Sequence, residues 1–497
     1  MQQHKLLNAR PPAATPALGT CFSGANAQPG GAFKFRNPLN QAKLPTLVVL
    51  ASAVLSLSTA WTDISLASAG SDWQQRTSTT TKKKRVRAGD AVAPVVAPAP
   101  IVTPGVVAPA PVATTPSADV AAPEVAGIAY PFGSHKTPYV AGIRPNGVSQ
   151  ETQDALIRTR YQAWKSGVSA RCGGNVVNFN ASYAAVSEGM GYGMMITVLM
   201  AGHDPEARNL FDGLLRVVRS HPAYNSDAAL MEWRVNSDCS GAGDGWNAMD
   251  GDLDIAMALL MADKQWGSSG SVNYKAEGIK TITAIKAINM HADGRTKGLP
   301  NGENNRTSDY MTGHFKAFKR ATGDAFWDSA SDKAFALLNT VQANYASNTG
   351  LVPDFIVNTG SNPAPSPGYI GDGNDKEGYY WWNACRLPWR LATDYVTSGD
   401  YRAQTVLTKM VNFFESSTGG NPAGIMSGYK LDGTALANYA NPSFVGPATA
   451  GAMVDAKFQP FLNNLWSFSS TNPGYGYYDN ELQLLSLVVA SGNWWNP

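Results

Sequence analysis

The chain has 497 residues, of which 44% are hydrophobic, 10% aromatic and 15% charged, and its formal net charge is +2. Its excess positive charge lies in the first quarter, and the rest is mildly acidic. A nucleic-acid-binding face is therefore not expected, because phosphate binding needs clustered Lys and Arg. The composition also argues against a coiled coil or a wholly disordered chain, so we expect a globular body.

The first quarter has the features of an export and tether region. Residues 44–60 form an apolar run that follows several basic residues, and an Ala-Ser-Ala cleavage pattern follows at residues 67–69. We expect a signal peptide within residues 1–69. An uncleaved membrane anchor is the alternative, because the run is close to the roughly 17–25 residues of a spanning helix. Residues 70–126, rich in Ala, Pro and Val, predict an extended linker. Both versions predict a secreted, periplasmic or cell-surface protein, tethered to a membrane if the anchor is kept.

Residues 127–497 are predicted to form one all-α domain that acts as a monomer. Apolar residues recur there at helical spacing between loops rich in Gly, Asn and Pro. The predicted helices cover residues 151–164, 184–200, 205–218, 253–264, 274–289, 308–320, 326–345, 385–397, 401–415, 448–463 and 480–490. Strand-like alternation is confined to residues 176–179 and 351–356. Helical hairpins closed into a ring would explain this count, although periodicity alone does not separate a ring from a bundle.

Three of the four cysteines lie in the predicted domain. Cys172 and Cys239 occupy loops rich in Gly, Ser and Asn, whereas Cys385 lies in an aromatic-rich stretch. In an oxidising compartment we expect the first two to pair and Cys385 to stay free. The sequence has no CxxC pattern or histidine cluster, so we predict no metal site and no cofactor.

The first motif whose residues could take part in a reaction is Ser-Glu-Gly-Met-Gly-Tyr-Gly-Met-Met, which begins at Ser187. A carboxylate, Glu188, precedes three alternating glycines and an apolar helical run. We interpret the glycines as clearing space for a ligand near the carboxylate, since glycine has no side chain. A plain helix cap is the alternative, because Ser and Glu are common first-turn residues.

The second motif places Asp250, Asp252 and Asp254 at alternating positions ahead of an apolar helical run. Such a cluster offers the oxygen ligands of calcium, but the twelve-position loop with its late glutamate is missing. Like charges this close are costly to ionise together, which favours one being held by hydrogen bonds to substrate or backbone. The alternative is that an aspartate only caps the helix.

The third motif is Tyr-Tyr-Trp-Trp-Asn-Ala-Cys-Arg-Leu-Pro-Trp-Arg, which ends at Arg390. Aromatic faces stack on sugar rings and guanidinium groups orient hydroxyls, so the segment suits a carbohydrate cleft. An aromatic core is the alternative. Tyr475, Tyr477 and Tyr478 form a further aromatic group.

Together, and in this order, the three motifs resemble glycoside hydrolase family 8 over residues 149–497. The resemblance implies an (α/α)6 barrel with an open cleft that cleaves β-1,4-glucan, mixed-linkage glucan, xylan or chitosan with inversion at the anomeric carbon. Glu188 matches the general acid. Asp250 matches the signature aspartate, which holds and distorts the sugar and has also been assigned as the nucleophile. Met249 stands where the family usually has Ser or Thr.

The family pattern breaks at Asn383, where many members have an aspartate that activates water. An amide takes no proton at neutral pH, so Asn383 is not a base. A subgroup with asparagine there, including chitosanases and enzymes active on mixed-linkage or cellulosic glucans, supplies a glutamate from a loop just upstream. That loop carries Asp372, Asp375 and Glu377 in this chain. We predict Asp372 as the base, because its sequence offset from Asn383 is nearest to the one expected. Glu377 is the alternative. All three acids could also have no catalytic role and simply be solvated on a surface loop.

The same motifs predict the residues that bind the polysaccharide, which are Tyr192, Trp246, Trp382, Asn383, Arg386 and Tyr478. The leading function is therefore an endo-acting hydrolase of a β-glucan or chitosan. A catalytically impaired glycan-binding or wall-scaffolding protein on the same fold is the alternative, motivated by the missing aspartate. A polysaccharide lyase on a helical ring is disfavoured, because the six histidines show no clustering.

Overall fold

The computed structural model describes residues 127–297, 302 and 304–497. The predicted export region and linker lie outside these residues. Within them the chain forms twelve α-helices, which are α1 Gln150–Lys165, α2 Ser187–Leu199, α3 Ala207–Ser220, α4 Met249–Trp266, α5 Tyr274–Asn289, α6 Thr312–Thr322, α7 Phe326–Tyr345, α8 Leu387–Ser398, α9 Tyr401–Thr418, α10 Pro442–Gly451, α11 Gln459–Thr471 and α12 Gly476–Ala490. None of the helices in this part of the chain has the length and apolar character needed to cross a bilayer.

The even-numbered helices form a closed ring. Each of α2, α4, α6, α8, α10 and α12 contacts the next, and α12 contacts α2. Each odd-numbered helix packs most extensively against one ring helix: α3 on α2, α5 on α4, α7 on α6, α9 on α8, α11 on α10 and α1 on α12; α5 and α9 also contact α6 and α10. The chain therefore alternates between the ring and a second layer, which confirms the all-α prediction.

Burial explains which helices form the ring. Every residue of α2 except Glu188 is buried. In α1, by contrast, the large buried side chains Ile157, Tyr161 and Trp164 lie on one face. A helix that is apolar all round belongs in the interior, whereas a helix with one apolar stripe packs on the outside.

The short strands lie in the connections between helices. They are β1 Val168–Arg171, β2 Gly174–Val177, β3 Tyr183–Val186, β4 Pro222–Ala223, β5 Asp227–Met231, β6 Arg234–Asn236, β7 Asn305–Arg306, β8 Phe355–Val357 and β9 Ala364–Pro365. The pairs β1–β2, β3–β6 and β4–β5 are antiparallel, and β7, β8 and β9 form a three-stranded antiparallel sheet in that order. β3 leads directly into α2, and β7–β8 pairing sets Arg306 opposite Phe355. The sheets thus bring distant loops to the start of the ring helices.

The glycines after Glu188 allow helices to approach each other. A Cβ on Gly191 would lie 2.8 Å from the carbonyl oxygen of Gly251 in α4, and a Cβ on Gly193 would lie 2.7 Å from a methyl of Val177. A Cβ on Gly189 would lie 3.1 Å from the ring of Tyr477. Neighbouring helices and strands fill the space that the side chains would take. The interpretation of these glycines as room for a ligand is therefore wrong.

One predicted helix is two helices in the structure. The prediction for residues 448–463 spans the end of α10, two 3₁₀ turns at Ala452–Val454 and Ala456–Phe458, and the start of α11. Asp455 between the turns has extended backbone angles, φ −148° and ψ 136°. The turns bury Met453, Val454 and Phe458, so the apolar spacing continues across a break that periodicity does not reveal.

Cys172 and Cys239 form a disulfide with an S–S distance of 2.05 Å, which confirms the predicted pair. The bond joins the β1–β2 turn to the loop after β6. Cys385 is free and buried, as expected.

Candidate active site

Glu188 lies in the first turn of α2, with 15% of its side chain exposed. Its Oε2 accepts a hydrogen bond from Arg386, and its Oε1 accepts one from the Tyr477 hydroxyl at 3.1 Å. Burial raises the pKa of Glu188 to about 7, against the opposing charge of Arg386 and with a smaller contribution from Asp250. This carboxyl therefore keeps its proton through the mildly acidic range, which suits a proton donor.

Asp250 lies in the first turn of α4 and shares Arg386 with Glu188. Arg386 Nη1 is 2.7 Å from Asp250 Oδ2, and Arg306 Nη2 is 2.7 Å from Oδ1. Burial alone would raise the pKa of Asp250, but Arg306 and Arg386 outweigh it and hold the pKa below its usual range. Two neighbouring carboxyls therefore have pKa values that are pushed apart, so one stays charged while the other carries a proton.

The other two aspartates of the motif have hydrogen-bond partners other than Arg386. Asp254, one turn after Asp250, accepts two hydrogen bonds from Arg390 at 2.6 and 2.5 Å and one from His314 at 2.9 Å. Arg390 likewise lies one turn after Arg386, so two acid–arginine pairs stack between α4 and α8. Equal four-residue spacings produce this stacking, because residues i and i+4 share a helix face.

Asp252 is held by the protein itself rather than by a ligand. Its oxygens accept the Met231 N–H and the Asn247 amide, both at 2.9 Å. Burial raises the pKa of Asp252 to about 7, with these hydrogen bonds opposing the shift. In the described part of the chain, no group of three or more His, Cys, Asp or Glu side chains is placed to hold a metal ion.

Asn383 connects the carboxylates of Asp372 and Asp354 with the Arg386 guanidinium. Its Nδ2 donates to Asp372 Oδ2 at 2.5 Å and to Asp354 Oδ2 at 3.1 Å, while its Oδ1 accepts from Arg386 Nη2. Both amide hydrogens and the amide oxygen are thus in use. The predicted base Asp372 is connected to Glu188 through Asn383 and Arg386.

Asp354 organises the turn that carries Asn383. Its Oδ1 accepts the backbone N–H groups of Trp381, Asn383 and Ala384 at 3.0, 3.1 and 2.7 Å. Burial raises its pKa to about 7, against these hydrogen bonds and with a contribution from Asp372.

The two candidate bases have different surroundings. Asp372 is half-buried and contacts Asn383, and burial raises its pKa against the opposing charge of Arg306. Glu377 is fully buried and accepts hydrogen bonds from its own loop. The structure therefore brings Asp372, and not Glu377, to the Asn383 amide.

The predicted aromatic binding residues divide into two groups. Trp382 and Tyr478 are half-exposed and meet edge to face at 6.1 Å, and the Tyr478 hydroxyl donates to the Trp382 carbonyl. Tyr192, in contrast, is 0% exposed and packs against Trp389 at 5.7 Å. Its ring presents no face to solvent in this structure, and its role in substrate binding stays a prediction.

Two backbone hydrogen bonds connect Trp246, through Trp233, to the start of α2. Its carbonyl accepts the Trp233 N–H at 2.9 Å, and the Trp233 carbonyl accepts the Ser187 N–H at 2.8 Å. The ring is half-buried, and its role in substrate binding stays a prediction.

The sequence does not predict three further residues of the site, which are Arg306, Asp354 and Asp309. Pairing of β7 with β8 brings the first two to the site, and sequence spacing gives no signal of that pairing. Asp309 is buried beside Arg306, whose Nε donates to it at 3.1 Å. Burial raises the pKa of Asp309 to about 6, with Arg306 opposing. Tyr477 belongs to the aromatic group at residues 475–478, but the sequence does not predict its contact with Glu188.

Hydrolysis of a sugar polymer by carboxyl groups requires one that donates a proton and others that stay charged. Glu188 and Asp250 meet this requirement. They lie in the first turns of α2 and α4, which are neighbours in the ring of helices, and the site also holds the half-exposed side chains of Trp382 and Tyr478. The fold and site define the protein as a glycoside hydrolase. Comparison with known proteins gives the particular family: the chain belongs to Glycosyl hydrolases family 8, whose profile matches residues 149–492. The resemblance inferred from the motifs is confirmed.

Individual relatives cover most of the chain. A beta-glucanase of Niallia circulans is 39% identical over 73% of this chain and 91% of its own length. An endoglucanase of Bacillus sp. (strain KSM-330) is 36% identical over 72% of this chain and 80% of its own length. The apo structure of a beta-1,3-1,4-glucanase from Paenibacillus sp. X4 is 37% identical, with a TM-score of 0.71 over 74% of this chain and 100% of that one.

Proposed function

We propose that this glycoside hydrolase is an exported, endo-acting enzyme that cleaves β-1,4 linkages in β-glucans, including mixed-linkage glucan, with inversion of configuration. The relatives named above as beta-glucanase, endoglucanase and beta-1,3-1,4-glucanase support the choice of β-glucan over chitosan or xylan. The closed ring of α2, α4, α6, α8, α10 and α12 with its second layer supports the assignment of an (α/α)6 barrel. Export rests on the apolar run and cleavage pattern in residues 44–69.

The observation that carries the proposal is that Glu188 and Asp250 both bind the Arg386 guanidinium. Burial raises the pKa of Glu188, whereas Arg306 and Arg386 lower that of Asp250, so the first suits a proton donor and the second a charged group. Glu188 donates its proton to the glycosidic oxygen as the bond to the anomeric carbon breaks. Asp250 stays charged and, through its fixed position, holds the sugar at the point of cleavage. The positive charge that develops on the sugar favours a fixed negative group nearby.

Asp372 is the proposed base. It removes a proton from a water molecule that attacks the anomeric carbon on the face opposite the leaving oxygen. Inverting enzymes separate their two carboxyls by about 6.5–9.5 Å to admit that water. In this site the Arg386 guanidinium and the Asn383 amide stand between Glu188 and Asp372, which supports a gap rather than direct contact. Burial makes Asp372 a stronger base by raising its pKa.

The proposal is tested with the full chain on lichenan, carboxymethylcellulose, xylan and chitosan. Reducing ends and viscosity together separate endo from exo cleavage, and proton NMR during the first turnovers gives the anomer of the product. We expect the greatest release from a β-glucan, an early fall in viscosity and an α-anomer. A β-anomer as first product would refute inversion.

Variants test the two roles. Glu188→Gln and Asp372→Asn should each lower kcat by about 10²–10⁴-fold, the usual range for general acid or base removal, with binding retained. Asp375→Asn is the control on the same loop, because Asp375 is exposed and pairs with the adjacent Lys376. Binding without hydrolysis by the unaltered protein would instead support the glycan-binding alternative.

A further inference from the structure

We propose that Glu377 is a positioning residue that fixes the loop carrying Asp372, so that the Asp372 carboxylate points to the Asn383 amide. The inference rests on the proposed role of Asp372 as the base. It gives Glu377 a role in the reaction that acts through Asp372 rather than on the substrate.

The geometry of the loop supports this role. Glu377 is 0% exposed, and its two oxygens accept four hydrogen bonds from one short segment. The donors are the N–H groups of Gly371 and Gly373 on Oε1 at 2.9 and 2.8 Å, and the Ile370 N–H and the Ser366 hydroxyl on Oε2 at 2.9 and 3.0 Å. The residues directly before and after Asp372 are therefore bound to the same carboxylate oxygen.

A loop of this composition does not hold one shape by itself. Glycines flank Asp372 on both sides, and glycine loses more conformational freedom on ordering than any other residue. Gly373 has φ +73°, and Tyr369, 69% exposed, has φ +59°. A tyrosine in the left-handed region is uncommon and persists only where surrounding contacts impose it. The bond from the Ile370 N–H to Glu377, together with the bond from the Tyr369 N–H to the Asn374 carbonyl at 2.8 Å, supplies that constraint.

The same bonds argue against Glu377 as the base. A carboxylate offers about four lone-pair sites, and four donors occupy those of Glu377. A base needs a free oxygen that faces the attacking water. Asp372 receives the Asn383 amide on Oδ2, and its other oxygen is the one assigned to water.

A double-mutant cycle separates positioning from general destabilisation. We expect Glu377→Gln to lower kcat on soluble β-glucan at least about tenfold, with KM changed less than about twofold, because the amide NH₂ cannot accept the bonds made to one oxygen. In the Asp372→Asn background the same substitution should change kcat less than about twofold, since residues that act as a unit are not additive.

Glu232 is the matched control. It is also buried, and it accepts the N–H groups of Ala242, Gly243 and Gly245, each at 2.9 Å, in a loop without the proposed base. Glu232→Gln should change kcat by the same factor in the original and Asp372→Asn backgrounds. Melting temperatures of all variants show whether each one is folded at the assay temperature.

The outcomes are distinct. An unchanged kcat for Glu377→Gln, or an equal loss in both backgrounds, overturns the positioning role while leaving Asp372 as the base. An Asp372→Asn variant within about tenfold of the original enzyme overturns the base assignment and this inference with it. If Glu377→Gln is unfolded, Ser366→Ala removes one of the four bonds and should show the same non-additivity, at about two- to fivefold; additivity there refutes the inference.

Discussion

Replacing Tyr477 with phenylalanine tests whether the hydrogen-bond partners of Glu188 set the pKa of that carboxyl. The Tyr477 hydroxyl donates to Glu188 Oε1 at 3.1 Å, and its ring packs edge to face on Phe179 at 5.0 Å. Phenylalanine keeps the ring and removes only the donor. A donor stabilises the ionised carboxylate, so its loss raises the pKa of Glu188 above about 7.

The size of the shift follows from the hydrogen bond. A bond to a charged group contributes about 1.5–3 kcal/mol, but the hydroxyl also interacts with the protonated carboxyl, so we take a differential of about 1 kcal/mol. At 1.36 kcal/mol per pKa unit this is a rise of about 0.7. Activity falls at high pH as Glu188 loses its proton. At pH 8 the protonated fraction should therefore rise from about one-tenth to about one-third, on the same relation.

The assay is kcat/KM on soluble mixed-linkage glucan from pH 5 to 9, which reports the pKa values of the free enzyme. In the profile of kcat/KM against pH, the basic limb of Tyr477→Phe should lie about 0.7 pH units above that of the original enzyme. Tyr475→Phe removes a hydroxyl from a 69% exposed ring two residues earlier and should leave the limb in place. A limb that stays fixed or moves to lower pH in Tyr477→Phe would refute the reasoning about Glu188.

Two further substitutions test the links around the site. Asn383→Asp should not restore the usual family base, because the oxygen that replaces Nδ2 has no hydrogen to donate to Asp354 and Asp372. We expect lower kcat and a loss of about 3 kcal/mol or more in unfolding free energy at pH 7. The repulsion raises carboxyl pKa values in the folded state, so this loss should shrink as pH falls, and urea unfolding at pH 5 and 7 would show it. Asp254→Asn leaves Arg390 buried without its charged partner and should cost about 3–5 kcal/mol in urea unfolding; a loss below about 1 kcal/mol would contradict the structural role of this pair.

Local sequence determined much of the site. The four-residue spacing of Asp250 and Asp254, matched by that of Arg386 and Arg390, produces stacked pairs wherever the two helices meet. Glu188 at the start of an apolar helix is likewise a local feature, as is the helical periodicity that predicted most of the ring. These features follow from the 3.6-residue turn and need no knowledge of the rest of the chain.

Tertiary structure decided what local sequence left open. Asp372 and Glu377 lie on one loop with equivalent chemistry, and the backbone N–H groups that surround Glu377 determine which of them reaches Asn383. The glycines after Glu188 likewise serve helix packing, which depends on where α4 lies. The contact of Arg306 with Asp250 joins strands and helices far apart in the chain. Such contacts arise only when the ring closes, because burial and hydrogen bonding between distant segments carry no local sequence signal.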